Sequence, residues 1–229
     1  MEQRPADRIT PLLILLSVYG LTWIDLFLPQ PAIGLFTVPW FAASAAKNLA
    51  RIGFLAFAMR LWQGIDTFGT GIPGRRSRDF FPKARDMADG ILIAAAAGLF
   101  ALGFALLALL AGAGNPLLYP FSGLKITATT FPLMIASSLA IGYSEELFFR
   151  FFAPNALERV GASPQAAILG SALLFGASHG SQGVFGMIGA AILALLFSFF
   201  KTQGKGLHTL ALGHALYDFV ILLAVAQAH

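Results

Sequence analysis

The chain contains no cysteine, which excludes disulfides, thiolate metal sites and a cysteine nucleophile, and leaves the redox compartment open. It is also poor in charge. Only 11% of its residues are Asp, Glu, Lys or Arg, against 57% hydrophobic, and the mean hydropathy is +0.76. That balance lies outside the range of a soluble globular domain. No internal repeat and no low-complexity tract interrupts it. There is no His-Glu-x-x-His helix of the kind zinc peptidases use. The net charge of +4 does not point to nucleic acid, because the basic residues fall in short loops between apolar runs rather than along one polar face.

What is present instead is a succession of apolar runs of about 20 residues, the length that crosses a hydrocarbon core of about 30 Å. We read one integral membrane domain over residues 1–229. Its spans run roughly over 10–30, 36–62, 87–112, 131–158, 164–181, 184–200 and 206–227. The first, from Pro11 to Pro29, is long for a signal-peptide core, so it is expected to stay as a transmembrane helix. All spans are expected to be helices, since a lipid-exposed segment must satisfy its own backbone hydrogen bonds. The expected fold is all-α: a polytopic bundle of about seven transmembrane helices with the active site between the C-terminal ones.

With the N-terminus inside, Arg4, Arg8, Arg75, Arg76, Arg78, Lys83, Arg85, Arg159, Lys201 and Lys205 fall on the cytoplasmic side and Lys125 outside. That asymmetry is what the positive-inside rule demands, and it places the C-terminus on the non-cytoplasmic side. The basic loop near Gly64 to Asp89 is expected to meet anionic lipid headgroups. The second span is interrupted by Lys47, Asn48 and Arg51, for which Asp25 in the first span is the expected partner in a structural ion pair.

An ionisable group in the hydrocarbon region costs on the order of 2.5 to 3.5 kcal/mol even on lenient insertion scales, so each asks for a reason. They concentrate in the fourth span (Glu145, Glu146, Arg150), the fifth (His179, with Phe175 one turn before) and the seventh (His214, Asp218). Glu146 and Arg150 stand i, i+4 in the favourable order and can neutralise each other. Glu145 lies about 100° round the helix from that pair, on a face with Gly142 and Ser138, small residues that let a neighbouring helix approach. If the fourth and fifth spans form a hairpin turning near Ala162, Glu145 and His179 reach the same depth. His214 and Asp218 form a second i, i+4 pair.

A carboxylate and a histidine sharing a water make a general base, and a second histidine with a hydrogen-bonding partner suits an oxyanion, so this inventory points to hydrolysis of an acyl bond. Ser144 and Ser178 are weaker candidates as nucleophiles, each adjacent to a better-placed polar residue. Phe175 reads as packing around the site. His208, at the cytoplasmic start of the last span, reads as an interfacial residue.

The three motifs Glu-Glu-x-x-x-Arg (Glu145 to Arg150), Phe-x-x-x-His (Phe175 to His179) and His-x-x-x-Asp (His214 to Asp218), in that order on successive spans, resemble the CPBP family of intramembrane proteases, which includes the CAAX prenyl endopeptidases. The resemblance covers roughly residues 131–224, the expected catalytic core; residues 1–130 carry helices of unassigned role. It implies that Glu145 with His179 activates the attacking water, that His214 and Asp218 face the oxyanion, and that Glu146 and Arg150 brace the site. Position 218 is commonly Asn in the prenyl-protein branch. Asp218, if ionised, accepts hydrogen bonds only, so it must be protonated or orient His214 instead. The implied substrate is a membrane-embedded or lipidated polypeptide. No metal or other cofactor is favoured, with Zn²⁺ held by Glu145, His179 and His214 as the competing form. Two other classes, a proton or ion transporter and a non-catalytic membrane scaffold, draw on the same buried groups; the sequence shows no paired broken helices or repeated halves for the first, and retains Glu145 and His179 against the second.

Overall fold

The computed structural model describes residues 6–23, 36–63, 81–112 and 125–227. Asp25, Arg75, Arg76 and Arg78 lie outside the described residues. Within them the chain is helical and shows no strand. The elements are α1 (Ala6–Thr22), α2 (Val38–Ala58), α3 (Ala84–Leu110), α4 (Thr130–Glu146), α5 (Ala153–Arg159), α6 (Pro164–Ser178), α7 (Gly183–Thr202) and α8 (Leu207–Gln227). A π-helical turn over Leu147–Phe152 joins α4 to α5 in one continuous run, so the fourth expected span is a single rod with one widened turn.

The ends follow local chemistry. Thr37 caps α2, accepting from the Trp40 amide, and Ser163 caps α6, accepting from Ala166, each with a proline in the first turn where its missing N–H costs nothing. Asp86 accepts from the Lys83 amide at the head of α3. Gly161, with φ of 101°, turns the chain between α5 and α6 near the expected hairpin point.

Among the described residues three helices, Ala84–Leu110, Gly180–Thr202 and Leu207–Ala224, are long and apolar enough to cross a membrane, and two shorter apolar helices cover Thr10–Thr22 and Pro164–Ser178. The outer face of α3 shows Leu92, Leu99, Leu102, Leu106 and Leu110, which suits a lipid surface.

Small residues set the approach of the helices at the centre. A Cβ on Gly142 would stand 2.6 Å from the Ala211 carbonyl oxygen and 2.9 Å from the Ala215 nitrogen, so α4 lies directly on the backbone of α8. On the other side of α8, a Cβ on Gly90 would meet the Gly213 nitrogen at 3.2 Å. α8 is therefore held between α3 and α4, and the close approach expected from Gly142 is found there. α6 and α7 meet in the same way at Gly176, whose Cβ would stand 2.7 Å from the Met187 carbonyl.

The opposite side of α4 is tied to α2 by polar contacts. Ser137 donates to Ser44 at 3.0 Å, and Ser144 donates to the Asn48 side-chain oxygen at 2.7 Å. Arg51 donates to the same Asn48 oxygen at 3.1 Å and to the Thr22 carbonyl at the end of α1 at 2.6 Å, with its guanidinium over the Trp23 ring. The polar residues of the second span thus join α1, α2 and α4. Bonds to a carbonyl, an amide and a π face spare the guanidinium the cost of an unpaired charge.

Candidate active site

The widened turn beneath α4 has a visible cause. Pro154 cannot donate to the carbonyls four and five residues before it, those of Arg150 and Phe149, and in a regular helix its ring would press on the former. The chain relaxes into a π turn, in which the Ala153 amide bonds five residues back to the Phe148 carbonyl. The two carbonyls that Pro154 leaves without a donor take side chains from the neighbouring helices. Ser171 of α6 donates to the Phe149 carbonyl at 2.5 Å, and Lys201 of α7 donates to that of Arg150.

This turn faces the buried acid–base cluster. Arg150 is 1% exposed, and its guanidinium lies between the rings of Phe175 and Phe197, at 5.2 and 5.7 Å. Its Nε stands 3.2 Å from Glu146 Oε2, the expected i, i+4 pair. The other oxygen of Glu146 has a partner that spacing along one helix does not reveal: Glu146 Oε1 is 2.8 Å from His214 Nδ1. A carboxylate only accepts, so Nδ1 of His214 carries a proton and Nε2 points away from Glu146. That Nε2 stands 3.6 Å from Glu145 Oε2 and 3.7 Å from Asp218 Oδ2.

Both distances are too long for direct hydrogen bonds. Glu146 is fully buried, whereas the side chain of Glu145 is 13% and that of Asp218 25% exposed. Glu145 and Asp218 thus form the reachable edge of the cluster.

His179 ends α6. Its Nδ1 donates to the Phe175 carbonyl at 2.9 Å, which leaves Nε2 uncommitted to that bond. Its ring lies against that of Phe175 at 4.5 Å, and the His214 ring meets the same Phe175 at 6.2 Å. Phe175 is thus a spacer between two imidazoles as well as a packing residue.

Both serines have local partners. Ser144 is fully buried and donates to Asn48, and Ser178 donates to the Phe175 carbonyl at 2.7 Å. His208 meets the Tyr143 hydroxyl through Nδ1 at 2.8 Å. Near it, Thr209 donates to Asp86 at 2.6 Å and Lys205 pairs with Asp89 at 2.7 Å, fastening the start of α8 to α3.

Among the described residues, no group of three or more His, Cys, Asp or Glu side chains is arranged to hold a metal ion. The nitrogens and oxygens that face one another are those of His214, Glu145 and Asp218, a donor set rich in carboxylate rather than the His-rich set of catalytic zinc.

Fold and site together define a helical membrane protein with a carboxylate–histidine centre buried where α4, α6 and α8 meet. Residues 127–220 match the family model described as type II CAAX prenyl endopeptidase Rce1-like, so this stretch, less than half of the chain, is similar to the CAAX proteases. The match runs from just before α4 into α8 and takes in all three motifs; α1, α2 and α3 lie outside it. No curated protein and no solved structure gives a significant match to the chain.

Proposed function

We propose that the protein is an endopeptidase that hydrolyses a peptide bond of a membrane-embedded or prenylated polypeptide, with water activated by Glu145 and histidine. The observation that carries this reading is the arrangement around His214. Its Nδ1–H is fixed on Glu146, and its Nε2 faces Glu145 at 3.6 Å. A water between Glu145 and an imidazole loses its proton to the carboxylate as it attacks the carbonyl carbon, and the same carboxyl group then returns that proton to the departing amine. His179, through its free Nε2, is the second group proposed to hold the water. His214 acts in its imidazolium form, keeping Nδ1–H on Glu146 and donating through Nε2–H to the oxyanion of the tetrahedral intermediate.

Asp218 stays a hydrogen-bond acceptor in this scheme. Its place 3.7 Å from Nε2 suits orienting His214 rather than donating to the oxyanion. Glu146 and Arg150 contribute by position: the carboxylate fixes the His214 tautomer, and the guanidinium supplies the charge that lets that carboxylate be buried. A zinc-dependent form of the same hydrolysis would use Glu145, His179 and His214 as ligands.

The test is cleavage by purified protein in lipid vesicles of a panel of membrane-embedded and prenylated peptides, beside Glu145→Gln. The amide keeps the shape and removes the proton acceptor, so turnover should fall about 10² to 10⁴-fold. Cleavage that survives the substitution removes Glu145 from the mechanism. A proton or ion flux through vesicles holding the wild type, with no peptide cut, would favour the transporter.

A further inference from the structure

We infer that Lys201, on α7 and outside the three motifs, is a positioning residue for the catalytic centre, acting with Ser171 by holding open the π turn that Pro154 imposes. This rests on the reading of Glu146 and His214 as parts of that centre.

The chain of contacts is short. Lys201 donates to the Arg150 carbonyl, and Ser171 to that of Phe149, the two carbonyls Pro154 cannot serve. Buried carbonyls without donors are costly, so a turn widened by proline needs such partners to persist. The same Arg150 whose backbone Lys201 holds presents its side chain to Glu146 at 3.2 Å, and Glu146 holds His214 at 2.8 Å. No guanidinium nitrogen of Arg150 has a hydrogen-bonding partner among the described residues, so beside the ion pair with Glu146 its position is set by its backbone and by the rings of Phe175 and Phe197. Lys201 is also over the Phe151 ring at 4.7 Å, which steers its ammonium inward from the end of α7. The side chain that charge asymmetry assigns to the cytoplasmic edge is thereby drawn into the bundle.

The experiment uses the full chain in lipid vesicles or detergent with two readouts: kcat and KM on a cleaved peptide, and the ¹⁵N resonance of His214 Nδ1 in histidine-labelled protein. The protein has four histidines, and that of His214 is assigned by its loss in His214→Gln. Lys201→Met removes the donor and keeps the length. It should shift the His214 Nδ1 resonance and lower kcat about 10- to 100-fold while KM stays within about twofold, as expected when a reacting group is displaced but binding is not. Lys201→Arg, which keeps a donor, should return the resonance and most of kcat; failure to do so while Lys201→Met is impaired overturns the donor role.

A His214 resonance unchanged in Lys201→Met overturns the inference, whatever the activity. If Lys201→Met does not fold, Ser171→Ala gives the same reading with the loss of a single hydroxyl, a shifted resonance supporting the inference and an unchanged one overturning it. Should the wild type cut no peptide, the proteolytic reading falls and the resonance alone decides the positioning role.

Discussion

Glu146 Oε1 lies 2.8 Å from His214 Nδ1 while Glu146 Oε2 lies 3.2 Å from Arg150, so one fully buried carboxylate serves an imidazole and a guanidinium at once. Its neighbour Glu145 has no such commitment and stands at the reachable edge. Two adjacent glutamates thus have different surroundings, which suits the proposed division into a bracing and a reactive carboxylate.

That division predicts different costs for the same change. Glu146→Gln leaves Arg150 buried without its counter-charge, so it should lower thermal stability in detergent by an amount equivalent to about 3 to 5 kcal/mol. Glu145→Gln should leave the melting temperature near that of the wild type. A melting curve of Glu146→Gln that overlays the wild type would refute the division.

Arg150 predicts a rescue. Arg150→Ala should reduce both folded protein and activity, because it strands the Glu146 carboxylate and empties the space between Phe175 and Phe197. Replacing both charges, as in Glu146→Leu with Arg150→Met, removes the stranded charge and should recover much of the stability. Activity should stay lost, since His214 then has no acceptor for Nδ1–H. Recovery of turnover in the double variant would show that neither charge serves the chemistry.

Gly142 predicts a purely geometric effect. A methyl group there meets backbone atoms of α8 at 2.6 and 2.9 Å, which cannot move aside as a flexible side chain would. Gly142→Ala should push α4 from α8 and destabilise the protein by about 1 to 3 kcal/mol. Gly98→Ala, where nothing lies within 4 Å, is the control. Equal melting temperatures for the two would contradict the packing described.

Much of this was legible from spacing and solvation. The length of the apolar runs gives the helices, the cost of charge in lipid singles out Glu145, Glu146, Arg150, His179, His214 and Asp218, and the i, i+4 rule finds the Glu146–Arg150 pair. The Glu146–His214 bond was not legible, because it depends on the rotation of α4 against α8, which no periodicity within one helix encodes. The π turn has a sequence cause in Pro154, but a proline inside an apolar run fixes neither the kind of distortion nor the donors that repair it. The polar residues of α2 were visible as an anomaly; their partners on α1 and α4 required the packed bundle.

Topology gives the fourth prediction. The basic residues favour the side of Arg159, Lys201 and Lys205, so a reporter joined after His229 should read as non-cytoplasmic. A reporter placed between Lys201 and Lys205 should read as cytoplasmic. A cytoplasmic signal from the first fusion would sink the reading of seven spans with the N-terminus inside.

The last prediction concerns metal. Zinc bound by three protein ligands would need Glu145, His179 and His214 to converge on one point with bonds of about 2.0 to 2.2 Å. The contacts found here run from His214 to three carboxylates, while His179 is held at Nδ1 by the Phe175 carbonyl. Water activation by Glu145 needs no metal, so cleavage should be unchanged by a strong chelator and should not rise when Zn²⁺ is added back. His179→Gln is informative beside this: the amide can still hold a water, and turnover should fall without any change in bound metal measured by elemental analysis. Activity that disappears with the chelator and returns with Zn²⁺, together with about one zinc per chain in the wild type and none in His179→Gln, would replace the glutamate mechanism with the zinc-dependent one.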